Sequence, residues 1–234
     1  MMGGQALTPA DPAETRLRST LRHWADCGWL RPLDWAFGQF LWQEAPDASP
    51  WLILAATLAS HQLGRGHVCL DLGVTLTDPA AALSLPPEQG AASGQGAKPC
   101  PPKVVLAELT LSAWLAALKH PELVATGPGN TPLVLAGTRL YLRRYWQYEQ
   151  DIRAGIERRL RQTPEWQAAL PATRLRQTLE ALFPAASPDD GQKIACALAA
   201  RSAFSIITGG PGTGKTTTVV RLLALLQSLR LSDA

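Results

Sequence analysis

A glycine-rich stretch from Ser205 to Thr217 holds the residues best suited to chemistry. It reads Ser-Ile-Ile-Thr-Gly-Gly-Pro-Gly-Thr-Gly-Lys-Thr-Thr and matches the phosphate-binding pattern G-x-x-x-x-G-K-[ST]. Its glycines reach backbone angles that other residues avoid, so amide groups can close around phosphate oxygens. Lys215 is predicted to add a cation at the β- and γ-phosphates, and Thr216 to place its hydroxyl on Mg²⁺. These two are the predicted catalytic residues, and Thr216 is the predicted metal ligand.

The residues around this loop match the strand–loop–helix context that the pattern requires. Phe204 to Thr208 is a short β-branched and aromatic run, which predicts a strand. After Lys215 a helix is expected to offer its unpaired N-terminal amides to phosphate. The alternative, a glycine-rich turn with a coincidental Lys-Thr pair, leaves three glycines and a lysine unexplained. The nucleotide-binding residues predicted in the loop are Gly209, Gly210, Pro211, Gly212, Thr213, Gly214, Lys215, Thr216 and Thr217.

The composition is that of a folded protein with one or two domains. Of the 234 residues, 46% are hydrophobic and 18% are charged, which excludes a wholly disordered chain. The net charge of +3 is small, but residues 139–176 carry nine arginines against four acidic residues. The positive charge is therefore concentrated in this stretch.

The cysteine spacing predicts no zinc or iron–sulfur centre, because the four cysteines are far apart and form no C-x-x-C pair. His61 and His67 lie near Cys69 without a fourth ligand, so core packing is favoured over a metal site there. The short, polar, proline-containing start is unlike a secretory signal. Free thiols without such a signal predict a cytoplasmic protein.

The first half of the chain predicts a small helical domain. Ser49-Pro50 is a helix start and leads into an apolar helix from Trp51 to about Leu63. This helix is apolar on nearly every side, which places it at the centre of the domain, and it is too short to cross a bilayer, which takes about 20 residues. Five tryptophans fall between Trp24 and Trp51. We interpret them as core in preference to a partner surface.

Two further features follow in this half of the chain. Five prolines and three glycines in residues 86–103 predict a flexible insert. Residues 132–136 and 139–142 flank Gly137-Thr138 and predict a β-hairpin.

The segment from Arg143 to Arg161 predicts a long helix in which arginines alternate with aromatic residues. Cations pair with phosphates and rings stack on bases, so this helix could bind nucleic acid. The alternative, which we favour, is an amphipathic helix whose arginines are solvated or dock on a protein. The pattern alone does not separate the two interpretations.

The last part of the chain predicts the opening of an α/β nucleotide-binding domain. Ser187-Pro188-Asp189-Asp190 begins a helix, which is followed by the strand, the loop and the final helix. Prolines place the domain boundary near 163–187. We therefore predict a mainly α N-terminal domain (1–165) with a small β-hairpin, a linker with a helix (166–187), and the beginning of a P-loop NTPase domain (188–234).

Several of these stretches resemble the RecD family, the α subunits of exodeoxyribonuclease V, which are superfamily-one DNA helicases. Residues 205–218 look like the family's ATP loop, and Gln192-Lys193 is similar to its glutamine motif. Residues 140–149 (Leu-Tyr-Leu-Arg-Arg-Tyr-Trp-Gln-Tyr-Glu) and 63–70 (Leu-Gly-Arg-Gly-His-Val-Cys-Leu) resemble segments of its N-terminal domain. The resemblance covers most of residues 15–230.

The resemblance implies an ATP-dependent DNA motor with a RecA-like domain, which runs 5′ to 3′. The implied role is double-strand break repair by homologous recombination, within a nuclease complex. ATP and Mg²⁺ are the implied cofactors, and Gln192 would recognise adenine through an amide that both donates and accepts. The N-terminal domain would dock on a RecC-like subunit in a heterotrimer with a RecB-like subunit. DNA would bind to the full-length motor, and no membrane is implied.

The chain departs from the family pattern at its end. It stops before a Walker B acid pair, an arginine finger or a second motor domain, which position the attacking water and stabilise transition-state charge. We therefore expect a truncated motor that binds ATP at most. One strand and two helices cannot complete a sheet, so the final apolar helix is expected to be poorly covered. The alternatives are a non-catalytic assembly module that docks on a RecC-like subunit, and another phosphate-loop protein such as a nucleotide kinase or GTPase.

Overall fold

The computed structural model describes residues 12–87, 99–184 and 190–231. They form two compact units, one that ends at Tyr148 and one that begins at Glu149. This division lies upstream of 163–187, where the prolines of the sequence place the boundary. The segment predicted as a linker, 166–187, contributes a helix to the core of the second unit.

The first unit is mainly helical. Its helices, within the described ranges, are α1 (Pro12–Asp26), α2 (Pro32–Glu44), α3 (Pro50–Gly64), α4 (Leu72–Thr77), α5 (Pro79–Leu83), α6 (Pro102–Val105) and α7 (Leu111–Ala117), followed by α8 (Arg143–Arg161), which continues into the second unit. The predicted starts at Pro50 and Arg143 are thus confirmed.

The helix α3 forms the centre of the first unit. Its cap is Ser49, whose Oγ accepts a hydrogen bond of 3.3 Å from the amide of Trp51. Residues 52–62 are all buried, as the apolar sequence predicts. The five tryptophans also belong to this core, Trp24, Trp29 and Trp42 as buried residues and Trp35 and Trp51 as partly buried ones.

A buried carboxylate joins α2 to α3. Asp34 is fully buried and accepts hydrogen bonds from Arg31 Nη2 at 2.6 Å and from Ser60 Oγ at 2.7 Å. Arg31 Nη2 also donates to the backbone oxygen of Ser60 at 2.7 Å. Because Arg31 and Asp34 lie at the start of α2 and Ser60 lies on α3, these bonds fix the two helices against each other.

A four-stranded sheet covers part of this core, in the order β1-β4-β3-β2. The strands are β1 (Leu70–Asp71), β2 (Val124–Ala125), β3 (Leu133–Ala136) and β4 (Arg139–Leu142). The predicted hairpin is confirmed, since β3 and β4 pair antiparallel around a turn in which Gly137 has a φ of 62°. The two-residue strands β1 and β2 were not predicted, because two residues carry no periodic signal.

Two sequence interpretations of this unit need correction. Most of the predicted insert, residues 88–98, lies outside the described residues, but Pro102 is buried and begins α6, since proline suits the first turn of a helix. His61 lies in the core, with Nε2 3.0 Å from the oxygen of Leu83. His67 is exposed in the turn that follows α3, so the core interpretation is wrong for this residue.

The second unit is built from helices around a smaller core. Besides the rest of α8, its described helices are α9 (Thr163–Ala169), α10 (Ala172–Leu182), α11 (Gly191–Ala200) and α12 (Lys215–Leu231). The buried residues of its core are Leu175, Leu179, Phe183, Cys196, Ala200, Leu225 and Leu229. On α12, Val220 and Leu223 remain 60% and 61% exposed, so this helix is poorly covered, as expected.

The strand predicted at Phe204–Thr208 is absent. Phe204 lies in a bend, residues 205–208 have no regular secondary structure, and Ile206 is 73% exposed. A strand needs a neighbour to satisfy its backbone groups. Among the described residues no segment pairs with 204–208, so a strong local β-propensity does not produce a strand here.

Candidate functional site

The glycine-rich loop connects α11 to α12 and turns sharply just before α12. Gly212 and Gly214 have φ values of 77° and 76°, which lie in the left-handed region. Residues with a side chain rarely adopt this conformation, which explains the glycines at these two positions. Pro211 and Gly212 form an exposed turn, and Thr216 and Thr217 are exposed in the first turn of α12.

Lys215 points back across the loop rather than away from it. Its Nζ donates to the backbone oxygens of Gly209 and Gly210, both at 2.6 Å. Thr213 Oγ1 also donates to the oxygen of Gly210, at 2.9 Å. The ammonium group therefore lies over the turn that the glycine pattern predicts to bind phosphate. Two backbone carbonyls hold it there, and phosphate oxygens could take their place as its hydrogen-bond acceptors.

Close packing within the loop explains two further glycines. A Cβ atom at Gly209 would lie 2.6 Å from Thr213 Oγ1, and one at Gly214 would lie 2.5 Å from Gln192 Nε2. Both distances are shorter than atoms in van der Waals contact allow. A side chain at 209 or 214 would therefore displace Thr213 or Gln192, and the backbone angles at 212 and 214 favour glycine.

The helix α11 brings Gln192 to the loop. Asp190 caps this helix, because its Oδ1 accepts hydrogen bonds from the amides of Gln192 at 2.9 Å and Lys193 at 3.0 Å. From this position Gln192 Nε2 donates to the oxygen of Thr213 at 3.2 Å. The structure therefore brings together the two stretches that the sequence analysis singled out, Gln192 and residues 209–217.

Three contributing residues were missed by sequence reasoning. Arg221 Nη1 donates to Gln192 Oε1 at 3.4 Å, and the Arg221 guanidinium lies 4.5 Å from the centre of the Phe183 ring. Thr218 is buried, and its Oγ1 donates to the oxygen of Gly214 at 3.0 Å. Thr218 could have been found from the sequence, because a threonine four residues after Gly214 in a helix can donate to the Gly214 oxygen. The contacts of Arg221 join segments that are distant in sequence, so they leave no local signal.

A buried thiol lies behind the loop. Cys196 Sγ donates to the backbone oxygen of Thr218 at 3.4 Å. Burial raises the pKa of this thiol, while the nearby Arg221 charge opposes the shift. Cys196 is therefore a neutral packing residue that supports the first turn of α12.

An open pocket of about 550 Å³ lies between α11 and the loop. Its lining includes Gln192, Thr213 and Lys215, together with Asp190, the acidic residue of the lining. Besides the Asp190 carboxylate, whose Oδ1 caps α11, the polar side-chain groups of this lining are an amide, hydroxyls and an ammonium ion. Such a donor set suits a phosphate-bearing ligand.

The basic helix α8 does not contribute to this pocket. Arg143 holds the loop before β3, since it donates to the oxygens of Thr131 at 2.8 Å and Gly127 at 2.7 Å. Arg153 pairs with Glu157 at 2.8 Å. These arginines have structural partners, and the choice between nucleic acid and protein as a partner of α8 stays a prediction.

The described ranges contain neither a metal-binding cluster nor a membrane-spanning helix. No group of three or more His, Cys, Asp or Glu side chains in them is arranged to hold a metal ion. None of the helices in the same ranges combines the length and apolar character of a membrane span.

Two family models match the chain. Residues 26–141 match the N-terminal domain of RecBCD enzyme subunit RecD, and residues 192–233 match an AAA domain. The second match begins at Gln192 and includes the whole loop, so it covers the pocket lining except Asp190 and Gly191.

Curated proteins named RecBCD enzyme subunit RecD are similar to the chain. The protein of Haemophilus influenzae is 41% identical over 124 residues, which are 52% of this chain and 19% of that protein. The protein of Mycolicibacterium smegmatis is 36% identical over 183 residues, 78% of this chain and 26% of that protein. The protein of Mycobacterium tuberculosis is 33% identical over 207 residues, 88% of this chain and 30% of that protein.

The chain thus spans less than a third of the length of these relatives. Within that span, the similarity extends over the helical first unit and the loop-bearing second unit. The chain therefore belongs to the RecD family, of which it carries the N-terminal domain and part of an AAA domain.

Proposed function

We propose that the pocket between α11 and the loop binds ATP together with Mg²⁺. The observation that carries the proposal is the position of Lys215, whose Nζ lies within 2.6 Å of two loop carbonyls at the N-terminus of α12. The left-handed glycines and the close approach of Gln192 to Gly214 give this loop the compact shape that phosphate binding requires.

In this proposal each residue has a separate task. The amides of Gly212 to Thr217 and the α12 N-terminus hold the β- and γ-phosphates. Lys215 exchanges its carbonyl partners for phosphate oxygens and compensates their charge. Thr216 would offer its hydroxyl to Mg²⁺, which would supply positive charge at the phosphates.

Binding is expected to exceed hydrolysis in this chain. Hydrolysis needs a group that positions the attacking water. The acid in the described pocket lining, Asp190, already accepts two backbone hydrogen bonds as the cap of α11. We therefore expect nucleotide binding without sustained phosphate release.

The test is calorimetric titration of the 234-residue protein with ATP in the presence of Mg²⁺. Lys215→Ala is expected to weaken binding by about tenfold or more, since it removes a charge-assisted contact to phosphate. Arg176→Ala removes an equal charge from an exposed position on α10 and serves as the control. Equal affinities of the wild type and Lys215→Ala would contradict the site assignment.

We further propose that this site serves a RecD-type motor: an ATP-dependent 5′ to 3′ DNA helicase acting in double-strand break repair by homologous recombination. Support comes from the family membership and from the AAA match over the loop. The relatives' name points to RecB-like and RecC-like subunits as partners of this chain. Reconstitution of a full-length RecD-type protein that contains this sequence with these subunits, on DNA with a 5′ overhang, tests the activity. Unwinding that is unaffected by Lys215→Ala in that protein would contradict the role.

A second candidate function is assembly without catalysis. Leu33 and Phe40 on α2 are 65% and 52% exposed. They are apolar side chains on the surface of the domain that matches the RecD N-terminal model, so a partner subunit could cover them. In this case the first unit docks on a RecC-like subunit whether or not the loop binds nucleotide. Co-purification with that subunit separates the candidates, because docking should survive Lys215→Ala.

A further inference from the structure

The side-chain amide of Gln192 is held at both ends. Its Nε2 donates to the oxygen of Thr213 at 3.2 Å, and its Oε1 accepts from Arg221 Nη1 at 3.4 Å. Gln192 lines the pocket together with Thr213 and Lys215, whereas Arg221 is not part of the lining. The amide thus faces the pocket while Arg221 contacts it from outside.

These two partners permit one orientation of the amide. A guanidinium group only donates hydrogen bonds, and a backbone carbonyl only accepts them. A flipped amide would turn its NH₂ towards Arg221 and its oxygen towards the oxygen of Thr213, and both contacts would become repulsive. Arg221 and the oxygen of Thr213 together determine which end of the Gln192 amide is the acceptor.

Arg221 is itself held in place from another element. Its guanidinium lies 4.5 Å from the centre of the ring of Phe183, which is buried at the end of α10. A cation over an aromatic face is attracted by the ring, so the position of Arg221 depends on more than its contact with Gln192.

The held amide keeps one donor and one acceptor position free. Its NH₂ has a second hydrogen beyond the one used by Thr213, and its oxygen has a second lone pair beyond the one used by Arg221. A side-chain amide pairs in this way with the N6 and N7 edge of adenine, which offers one donor and one acceptor. Guanine offers two acceptors, O6 and N7, at the same edge. Its O6 would face the amide oxygen, and two acceptors repel each other.

We propose that Arg221 is a positioning residue that makes this pocket select adenine over guanine by fixing the Gln192 amide. The inference rests on the proposed nucleotide site and adds to it the source of base selectivity. Without the Arg221 donor the contact with Thr213 alone holds the amide, so the orientation that matches adenine is less firmly fixed.

The test compares Arg221→Met, Arg221→Lys and wild type in the 234-residue protein, with Arg230→Met as a control at an exposed position of the same helix. Affinities for ATP, GTP and inorganic tripolyphosphate are measured with Mg²⁺ present. Tripolyphosphate reports the loop alone, because it has no base. Methionine keeps a side chain long enough to lie on Phe183 but cannot donate, and lysine keeps one donor.

The expected result is that Arg221→Met lowers the preference for ATP over GTP about tenfold, with tripolyphosphate affinity unchanged. Arg221→Lys should keep part of the preference, and Arg230→Met all of it. An unchanged ATP-to-GTP ratio in Arg221→Met, with tripolyphosphate still bound, would overturn this inference and leave the nucleotide site intact. Loss of tripolyphosphate binding in Arg221→Met would also overturn it, because Arg221 would then support the loop. A wild-type protein that binds neither ATP nor tripolyphosphate would overturn both proposals.

Discussion

Asp34 is the residue on which the junction between α2 and α3 depends. Burial alone would raise the pKa of this carboxyl. Interaction with His61, whose Nδ1 lies 3.8 Å from Oδ2, and hydrogen bonds from Arg31 and Ser60 outweigh burial. The pKa of Asp34 therefore lies well below its ordinary value, and the carboxylate stays ionised inside the protein.

Asp34→Asn is expected to destabilise the first unit by roughly 2–4 kcal/mol at neutral pH, because a neutral amide would turn donors towards the donors of Arg31 and Ser60. The folded-state pKa is lowered, so the contribution of Asp34 is present above the unfolded-state pKa of about 4 and is lost as the pH falls below it. The difference between variant and wild type should therefore shrink in acid.

Urea unfolding at several pH values measures this difference. Asp26→Asn is the control, since Asp26 is exposed and lies 3.8 Å from the exposed Arg22. A pH-independent difference for Asp34→Asn would contradict the ionised state of Asp34.

Gly212 and Gly214 offer a matched pair of substitutions in the loop. Alanine at either position carries about 1–2 kcal/mol of backbone strain, because both have left-handed backbone angles. Only at Gly214 would the new methyl group also displace the Gln192 amide, from a distance of 2.5 Å. Both variants should bind ATP more weakly, and Gly214→Ala alone should lose preference for ATP over GTP in competition binding. Equal selectivity in the two variants would contradict the loop geometry.

At the scale of elements, Gly38 shows a conflict between helix propensity and packing. Alanine is favoured over glycine inside a helix by about 1 kcal/mol. A Cβ at Gly38 on α2, however, would lie 2.5 Å from Oγ1 of Thr57, a fully buried residue of α3. Overpacking of this kind costs roughly 1–3 kcal/mol, so packing decides the outcome.

Gly38→Ala is therefore expected to lower the free energy of unfolding, measured by chemical denaturation. Gly155→Ala on α8 is the control with the opposite sign. There the nearest atom is the end of the flexible Arg159 side chain at 3.3 Å, which can move. A gain of roughly 0.5–1 kcal/mol is expected for Gly155→Ala. Stabilisation by Gly38→Ala would show that α2 and α3 do not pack as described.

The helices were the most predictable elements, because their signals are local. Ser49-Pro50 and the apolar run after it predict α3, and Gly137 predicts the turn of the hairpin. The prediction of a strand at 204–208 was wrong, since a strand depends on a neighbour that local propensity does not reveal. For the site, the pattern identified the loop and the resemblance identified Gln192, but neither indicated the contact of Arg221 with Phe183.

At the scale of the whole molecule, two separate cores predict two unfolding events. Leu58 belongs to the first core and Leu225 to the second, and both are fully buried. Truncation of either leucine to alanine is expected to cost about 2–5 kcal/mol in its own unit. Mg²⁺ and ATP should raise the melting temperature only of the event that Leu225→Ala lowers, because a ligand stabilises the unit that binds it.

Differential scanning calorimetry with and without nucleotide tests this expectation. A single transition, shifted alike by Leu58→Ala, Leu225→Ala and ATP, would show that the two units unfold together.

The burial of Cys196 also provides the chain with an internal reporter. Its thiol is fully buried beneath the first turn of α12, whereas Cys27, Cys69 and Cys100 are only partly buried. A maleimide reagent reacts with thiolates that it can reach, so Cys196 should be labelled only when the second unit opens. In a variant that keeps Cys196 alone, the labelling rate would follow that opening directly. Slower labelling with nucleotide would then show that the ligand suppresses this opening, without any added fluorophore or tag.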